Sequence, residues 1–256
     1  MEPNFLDKIV VARRAQIASS KRTRPELPNR NPGRRFWAAL RAREDVAIIA
    51  EFKRASPSLG EIRGDADPGQ MIALYEAGGA AAISVLTEQE FFKGSLDDLK
   101  AARVSTRLPI LRKDFIVDEI QIVEAAAAGA DAILLIVAAL SDEELSRYRT
   151  LAEEELGLDA LVEVHDAEEM RRAMQCGAAL IGVNNRNLRT FATSLETSIE
   201  LAALAPPDTA LVSESGISSR ADIERLQQCG YRGFLIGESL MRAADPVGLL
   251  ESLRHA

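Results

Sequence analysis

One pattern repeats eight times after residue 45: a short apolar run rich in β-branched residues is followed by an amphipathic stretch with helical spacing. This alternation is typical of βα units, in which each strand is followed by a helix. The apolar runs cover residues 46–53, 81–87, 109–114, 131–137, 160–164, 179–184, 210–213 and 233–237. The helical stretches cover residues 68–77, 96–104, 118–128, 142–156, 167–175, 194–204, 218–228 and 246–253.

Eight βα units in a chain of 256 residues predict an α/β fold, a single-domain (β/α)8 TIM barrel with an N-terminal helical extension. An open doubly wound sheet is the competing arrangement, but no G-x-G-x-x-G segment supports it. Residues 1–45 lie outside the repeat and contain two helical patterns, over 5–18 and 35–43. We therefore predict an extension over 1–45 that packs on a catalytic barrel over 46–256.

The formal net charge of -8 argues against a nucleic-acid partner and against binding to an anionic membrane. No apolar run approaches the length of about 18 residues that a membrane span needs, and no signal-peptide pattern is present, so a cytoplasmic protein is expected. The N-terminal segment is locally basic, and we interpret its cluster as a solvated surface. The cluster comprises Arg13, Arg14, Lys21, Arg22, Arg24, Arg30, Arg34 and Arg35.

The chain has little material for cysteine or histidine chemistry. Cys176 and Cys229 each precede a glycine near a predicted helix end and form no C-x-x-C pair, which favours free structural thiols. His165 and His255 are the two histidines, so neither a Ser-His-Asp triad nor a histidine-rich metal site is expected. The sequence therefore predicts no metal.

Polar side chains follow most of the predicted strands, at the end of the barrel where TIM-barrel active sites lie. They are Glu51, Lys53, Ser56, Arg112, Lys113, Asp114, Glu163, Asn184, Asn185, Arg186, Glu214, Ser215, Gly216, Gly237, Glu238 and Ser239. A purely structural barrel would not need so many, because charge is costly at the end of a buried strand.

Two lysines and two glutamates are the candidate acid–base groups. Glu51 and Lys53 share one face of an extended strand, and Lys113 and Glu163 join them from two other strands. Burial is expected to lower the pKa of a lysine and raise that of a glutamate, which would bring both toward neutrality. The alternative to an acid–base role for each glutamate is an ordinary ion pair at the end of its strand. A Schiff-base nucleophile is the alternative for Lys113.

Two short segments, 215–218 (SGIS) and 236–239 (IGES), follow the last two strands. The loops after strands seven and eight commonly bind phosphate in TIM barrels. Glycine at 216 and 237 lets the backbone approach an anion, with N–H groups as donors. Each segment alone is equally compatible with an ordinary turn, but their position on consecutive final strands favours a phosphate site.

The segment 48–58 (IIAEFKRASPS) resembles the signature of the indole-3-glycerol phosphate synthase family. Further stretches resemble the same family in order along nearly the whole chain. They are 84–88 (SVLTE), 92–95 (FKGS), 109–115 (PILRKDF), 161–165 (LVEVH), 181–188 (IGVNNRNL) and 212–217 (VSESGI).

The resemblance implies conversion of 1-(2-carboxyphenylamino)-1-deoxyribulose 5-phosphate into indole-3-glycerol phosphate in tryptophan biosynthesis, without a metal or organic cofactor. It implies that Lys113 is the general acid for ring closure, and that Lys53 holds the departing carboxylate and is a candidate acid for the later dehydration. Glu163 would be the base or cation stabiliser, with Glu51 and Asn184 orienting the amine and hydroxyls. The implied substrate-binding residues are Ser56, Phe92, Phe115, Arg186, Glu214, Ser215, Gly216, Gly237 and Glu238.

One position departs from the family pattern, because Leu59 stands where many relatives carry a lysine. This difference predicts weaker substrate binding, measured as a higher KM. The competing enzymes are phosphoribosylanthranilate isomerase and a Schiff-base aldolase. A third alternative is a catalytically silent barrel that binds a phosphorylated ligand, although none of the Lys and Glu residues of the pattern is missing. The expected partner is a small phosphorylated, anthranilate-derived substrate, and the chain is expected to be a monomer.

Overall fold

In the computed structural model, which describes residues 5–19, 25–27 and 35–255, eight parallel strands close into a barrel. The strands are β1 (Ala47–Phe52), β2 (Ala82–Leu86), β3 (Ile110–Lys113), β4 (Ala132–Ile136), β5 (Asp159–Val164), β6 (Leu180–Asn184), β7 (Ala210–Glu214) and β8 (Gly233–Ile236). Each strand pairs with the next along the chain, and β8 pairs with β1. The predicted (β/α)8 TIM barrel is confirmed.

Helices surround the barrel and alternate with its strands. They are α1 (Phe5–Ser19), α2 (Arg35–Arg41), α3 (Pro68–Ala77), α4 (Leu96–Ser105), α5 (Glu119–Ala128), α6 (Asp142–Thr150), α7 (Ala167–Gln175), α8 (Glu196–Ala202), α9 (Arg220–Gln228), α10 (Glu238–Arg242) and α11 (Pro246–Arg254). Many begin at a Ser or Asp whose side chain accepts a hydrogen bond from a backbone N–H of the first turn. These caps are Asp67, Ser95, Asp118, Ser141, Asp166, Ser219 and Asp245.

Strand alternation divides the apolar residues between two cores. In β1, Ile48 and Phe52 belong to the large core between the strands and the outer helices. Ala47 and Ile49 belong to the smaller core inside the barrel. The same alternation directs Glu51 to the barrel interior near the carboxyl end of β1, where its side chain is buried.

The two N-terminal helices pack on opposite ends of the barrel. Helix α2 covers the amino end, where the N–H groups of Phe36 and Trp37 both donate to Asp159 Oδ2 at 3.0 Å. Helix α1 lies at the carboxyl end, where Arg13 donates to Asp114 Oδ1 at 2.7 Å. The division between an extension over 1–45 and a barrel over 46–256 stays a prediction.

The interpretation of the basic N-terminal cluster as a solvated surface was wrong for Arg13. Its guanidinium is buried because it forms an ion pair with a carboxylate of the barrel. Arg14 fits the prediction better, since its side chain is 41% exposed and pairs with Glu144. The basic residues at 21, 22, 24, 30 and 34 lie outside the described part of the chain.

Local differences from the sequence prediction occur where elements are short. The helix predicted over 142–156 corresponds to α6 followed directly by a π-helical turn, Leu151–Glu155. In this turn Leu151 and Ala152 are both buried. A hairpin pairs Ala55–Ser56 with Gly60–Glu61, and α10 follows β8 directly. These elements are too short to produce a hydrophobic period. Among the described residues, no helix has the length and apolar character that crossing a bilayer requires.

Candidate active site

The predicted site residues surround one cavity of about 920 Å³, including its open mouth, at the carboxyl end of the barrel. Those that line it are Glu51, Lys53, Ser56, Phe92, Lys113, Phe115, Glu163, Asn184, Arg186, Glu214, Ser215 and Glu238. Gly216 and Gly237 line an adjoining depression together with Ser218, Ser239 and Arg242. The structure therefore brings together residues that are up to 187 positions apart in the sequence.

A layer of charged side chains closes the bottom of this cavity. The alternate strands β1, β3, β5 and β7 contribute Glu51, Lys113, Glu163 and Glu214. Lys113 Nζ donates to Glu163 Oε2 at 2.7 Å and to Glu214 Oε2 at 2.5 Å. Interior layers of four side chains from alternate strands are usual in TIM barrels, but they are normally filled by Val, Ile and Leu. The layer nearest the mouth is charged here, which indicates a functional site.

The ionisation of this layer differs from the sequence expectation. Burial alone would lower the pKa of Lys113, but the negative charges of Glu163, Glu214 and Glu51 outweigh it and raise that pKa. Burial alone would raise the pKa of Glu163, but Lys113 and His165 outweigh it and hold that pKa low. The predicted shift toward neutrality was therefore wrong for both members of this pair, because each is compensated by opposite charge.

Glu214 is the member of the layer whose pKa moves toward neutrality. Burial raises the pKa of Glu214 to about 7, and repulsion by Glu163 acts in the same direction against the attraction of Lys113. Its Oε1 atom is buried and has no hydrogen-bond partner within residues 5–19, 25–27 and 35–255. The Cβ atom of any larger residue at Gly182 would lie 2.2 Å from that oxygen, so a substitution there would displace the Glu214 carboxylate.

Among the described residues, the second lysine has one carboxylate partner. Lys53 Nζ donates to Glu51 Oε1 at 2.7 Å, and its side chain is 16% exposed at the cavity wall. A Cβ atom at position 237 would lie 2.4 Å from the same oxygen of Glu51. Gly237 is therefore required by the packing of the Glu51 carboxylate, in addition to any role toward an anion.

Arg186 connects three loops at the rim of the cavity. It donates to Ser58 Oγ at 3.2 Å, and its Nη2 lies 3.9 Å from Glu238 Oε2. The backbone N–H of Arg186 donates to Asn184 Oδ1 at 3.0 Å. Ser56 Oγ lies 3.4 Å from Ser58 Oγ. The rim is thus a polar belt around the charged layer.

The loop after β7 contains two successive residues with left-handed backbone. Ser215 and Gly216 have φ angles of +68° and +79°, which are both left-handed. Glycine adopts this conformation without strain, and a Cβ atom at 216 would also lie 2.5 Å from Thr193 Cγ2. Successive backbone N–H groups in a turn of this kind form a concave surface that suits an anion.

Aromatic rings form the apolar wall. The rings of Phe92 and Phe115 have centroids 6.2 Å apart. Phe5 of α1 packs edge-on against Phe91 and Phe191, with centroids at 5.0 Å and 5.4 Å. Phe5 and Phe191 also line the cavity, and neither was predicted, because they come from the N-terminal helix and a loop, which carry no strand-end signal.

His165 is a further residue that the sequence analysis did not place in the site. It follows β5, and its Nε2 lies 3.3 Å from Glu163 Oε1. The spacing Glu163-Val164-His165 could have indicated this contact, because residues two apart on an extended segment share a face.

Solved structures with the same fold include thiamine phosphate pyrophosphorylase from Pyrococcus furiosus, with a TM-score of 0.60 and 17% identity over 81% of this chain and 93% of that one. A 3-hexulose-6-phosphate synthase gives a TM-score of 0.63 and 16% identity over 82% of this chain and 98% of that one. At this identity the likeness shows the fold alone.

Sequence relatives are much closer. The family model for indole-3-glycerol phosphate synthase matches residues 6–253. Relatives with that name are 51% identical in Koribacter versatilis, over 95% of this chain and 94% of the relative, and 47% identical in Carboxydothermus hydrogenoformans, over 97% and 99%. The family resemblance carried by the barrel's strand ends is thereby confirmed, and the chain belongs to the indole-3-glycerol phosphate synthase family.

Proposed function

We propose that Lys113, Lys53 and Glu163 convert 1-(2-carboxyphenylamino)-1-deoxyribulose 5-phosphate into indole-3-glycerol phosphate by general acid–base catalysis. Membership of the family makes the chain a carboxy-lyase of tryptophan biosynthesis. The observation that carries the residue assignment is the charged layer, in which Lys113 is held between Glu163 and Glu214 at the bottom of a partly apolar cavity.

Ring closure needs a proton donor at the ketone oxygen of the substrate, because the attacking ring carbon is a weak nucleophile. The raised pKa of Lys113 keeps its side chain protonated at neutral pH, so it carries the proton that this step requires. The new carbon–carbon bond leaves positive charge on the ring and its nitrogen. Glu163 and Glu51 provide the nearby negative charge that stabilises this cation.

Decarboxylation and dehydration complete the reaction. When the carboxylate leaves as carbon dioxide, the electron pair of its bond returns to the ring and neutralises the cation. The hydroxyl formed from the ketone then leaves as water with a proton from a lysine, while Glu163 accepts a proton from the adjacent carbon. Lys53, which is paired with Glu51 at the cavity wall, would bind the departing carboxylate and is the second candidate for that proton donor.

The remaining predicted residues are proposed to bind the substrate. Phe92 and Phe115 would flank the anthranilate ring, since their side chains form the apolar wall. The backbone at Gly216 and Gly237 would bind the phosphate, supported by the depression that these loops line. The rim and layer residues Ser56, Asn184, Arg186, Glu214, Ser215 and Glu238 would contact the hydroxyls, amine and phosphate between those ends.

The structure disfavours the Schiff-base alternative for Lys113. An imine forms only from a neutral amine, whereas three carboxylates hold this ammonium in its charged form. Borohydride treatment in the presence of substrate should therefore leave the intact protein mass unchanged. A covalent adduct on Lys53 or Lys113 would instead support the aldolase.

The direct test mixes purified protein with the carboxyphenylamino-deoxyribulose phosphate and follows indole fluorescence. We expect fluorescence to rise with enzyme-dependent turnover. Confirmed ligand binding by calorimetry without a fluorescence signal would support the silent phosphate-binding barrel. We further propose that the protein is a cytoplasmic monomer without metal, organic cofactor or nucleic-acid partner. Unchanged activity in EDTA checks the absence of a metal requirement. Size-exclusion elution at the chain mass of 27.8 kDa checks the monomeric state.

A further inference from the structure

The imidazole of His165 lies between two carboxylates. Its Nε2 is 3.3 Å from Glu163 Oε1, and its Nδ1 is 3.0 Å from Glu169 Oε2. The backbone N–H of His165 donates to the same Glu169 oxygen at 2.8 Å. Glu169 is itself fixed at the first turn of α7, because its N–H donates to the capping side chain of Asp166 at 2.9 Å.

This arrangement matches a positively charged imidazole. Both ring nitrogens lie within 3.3 Å of a carboxylate oxygen, so a neutral imidazole would turn one nitrogen lone pair toward negative charge, whereas an imidazolium would turn none. The contact of Nε2 with Glu163 is one of charge, because Nε2 makes no hydrogen bond among the described residues. Burial alone would lower the pKa of His165, but the contacts with Glu163 and Glu169 outweigh it and raise the pKa to about 10. His165 also links two sides of the wall, since Glu163 lines the central cavity and Glu169 lines a groove outside it.

We propose that His165 is a positioning residue, an imidazolium held by Glu169 that fixes the Glu163 carboxylate and keeps it ionised when Lys113 turns to the substrate. The inference rests on the proposed role of Glu163 and extends it. Glu163 has two cationic neighbours, with Lys113 at Oε2 and His165 at Oε1. Once Lys113 has given its proton to the ketone, His165 is the positive charge that remains.

The other charged groups around Glu163 and His165 differ between the cavity side and the outer side of the barrel wall. On the cavity side, Glu214 and Glu51 add negative charge beyond Lys113. On the outer side, the groove that contains His165 is also lined by Asp166, Arg186 and Arg189. Glu169 is the group that faces Nδ1 directly, so its removal should change the protonation of His165 most.

The first test measures the charge of His165 directly. The chain has two histidines, so a His255→Gln variant leaves one ring signal in a nitrogen-15 NMR titration. We expect His165 to remain an imidazolium at pH 8 and to titrate at lower pH in Glu163→Gln and in Glu169→Gln. Titration of the parent near the ordinary histidine value of about 6.5 would overturn the proposal.

The second test uses the pH dependence of kcat. In Glu169→Gln, His165 should lose its proton at a lower pH than the parent value of about 10, so kcat should fall as pH rises toward that value. The parent and the control Glu168→Gln, which alters an exposed neighbour on the same helix, should show no such fall. A local structural role alone would lower the melting temperature without creating this new alkaline limb.

Direct removal of the imidazole gives the size of the effect. An adjacent opposite charge favours a carboxylate by a factor of about 10 or more, so His165→Gln should leave Glu163 less firmly held during the reaction and lower kcat about tenfold or more. KM should stay within about twofold, because the imidazole does not line the central cavity. Parent-like kcat in both His165→Gln and Glu169→Gln would refute the positioning role. An inactive parent would instead refute the proposed function itself.

Discussion

Lys113 and Asp114 are successive residues at the end of β3, yet the charge clusters around them are built differently. Asp114 is buried and accepts hydrogen bonds from Arg13 and Thr87 at 2.7 Å and 2.6 Å. Arg112 donates to it at 2.9 Å. The opposite charges outweigh the effect of burial and lower the pKa of Asp114. Here cations outnumber the acid that they surround.

The cluster around Lys113 has the reverse composition. At the cavity wall, three carboxylates, from Glu51, Glu163 and Glu214, face the two ammonium groups of Lys113 and Lys53, whereas His165 contacts Glu163 from outside the cavity. One oxygen of Glu214 has no hydrogen-bond partner among the described residues. Fully paired buried charges hold the fold, whereas an excess of like charge facing a cavity is costly unless a ligand uses it. The contrast separates a structural cluster from the proposed catalytic one within two residues of sequence.

The largest expected effect is on turnover in the Lys113 cluster. Lys113→Ala and Glu163→Gln should each lower kcat by about 10² to 10⁴ or more, because one general acid or base typically contributes that range. Circular dichroism and the melting temperature should show an intact fold in both variants. Near-parental turnover in either variant would remove the residue from the proposed mechanism.

The matching change in the other cluster should affect stability instead. Asp114→Asn leaves the buried guanidiniums of Arg13 and Arg112 without their shared carboxylate, so the free energy of unfolding should fall by about 3 to 5 kcal/mol. Denaturant unfolding measures this change. The control Asp97→Asn removes an exposed carboxylate and should change it by less than about 0.5 kcal/mol. Equal losses in the two variants would contradict the structural role.

Lys53 should show an intermediate effect. Its replacement in Lys53→Gln removes one charge-assisted hydrogen bond to the substrate carboxylate, worth about 1.5 to 3 kcal/mol, so kcat/KM should fall roughly 10- to 100-fold. Steady-state kinetics with separate kcat and KM values distinguish its two proposed roles. A change in KM alone would indicate that Lys53 binds the carboxylate, whereas an equal fall in kcat would indicate proton donation.

The raised pKa of Glu214 should make the free energy of unfolding depend on pH. Its pKa is raised from the ordinary 4.5 to about 7, so ionisation opposes folding. Its stabilising contribution is present below pH 4.5 and is lost as pH rises through 7. From pH 5 to 8 the parent should therefore lose on the order of 1 to 3 kcal/mol more stability than Glu214→Gln. Urea unfolding at both pH values checks this difference, and identical pH dependence would contradict it.

The smallest effect is expected at Leu59, which is much more exposed to solvent than the residues of either cluster. Leu59 is 40% exposed near the turn between Ser56 and Gly60, where a lysine could add long-range attraction for the phosphate. Exposed charges contribute about 0.2 to 1 kcal/mol, so Leu59→Lys should lower KM by no more than about fivefold, and added salt should abolish the effect. A changed kcat would instead show that position 59 influences the chemistry.

Much of the barrel could be predicted because each strand is an apolar run that ends where its side chains become polar. The run 131–137 is β4 (Ala132–Ile136), and the run 109–114 is β3 (Ile110–Lys113). Since the carboxyl ends of parallel strands meet at one end of a barrel, Lys113 and Glu163 could be placed together without knowing any distance between them.

The ionisation of those residues could not be predicted in the same way. The direction of the Lys113 pKa shift depends on three carboxylates contributed by β1, β5 and β7, which outweigh burial only once the strands are assembled. Arg13 was interpreted as solvated because its partner, Asp114, lies 101 residues away. Such contacts depend on tertiary packing and leave no local pattern in the sequence.

The most direct test of the central claim compares turnover per folded chain in Lys113→Ala and Asp114→Asn, with the carboxyphenylamino-deoxyribulose phosphate as substrate. The folded fraction of each variant is set by denaturant titration and its turnover by indole fluorescence. We predict that Lys113→Ala remains folded and loses at least about 10²-fold in kcat, whereas folded Asp114→Asn keeps kcat within about tenfold of the parent. Parent-like turnover in Lys113→Ala, or equal loss in both variants, would contradict the separation of a catalytic from a structural cluster.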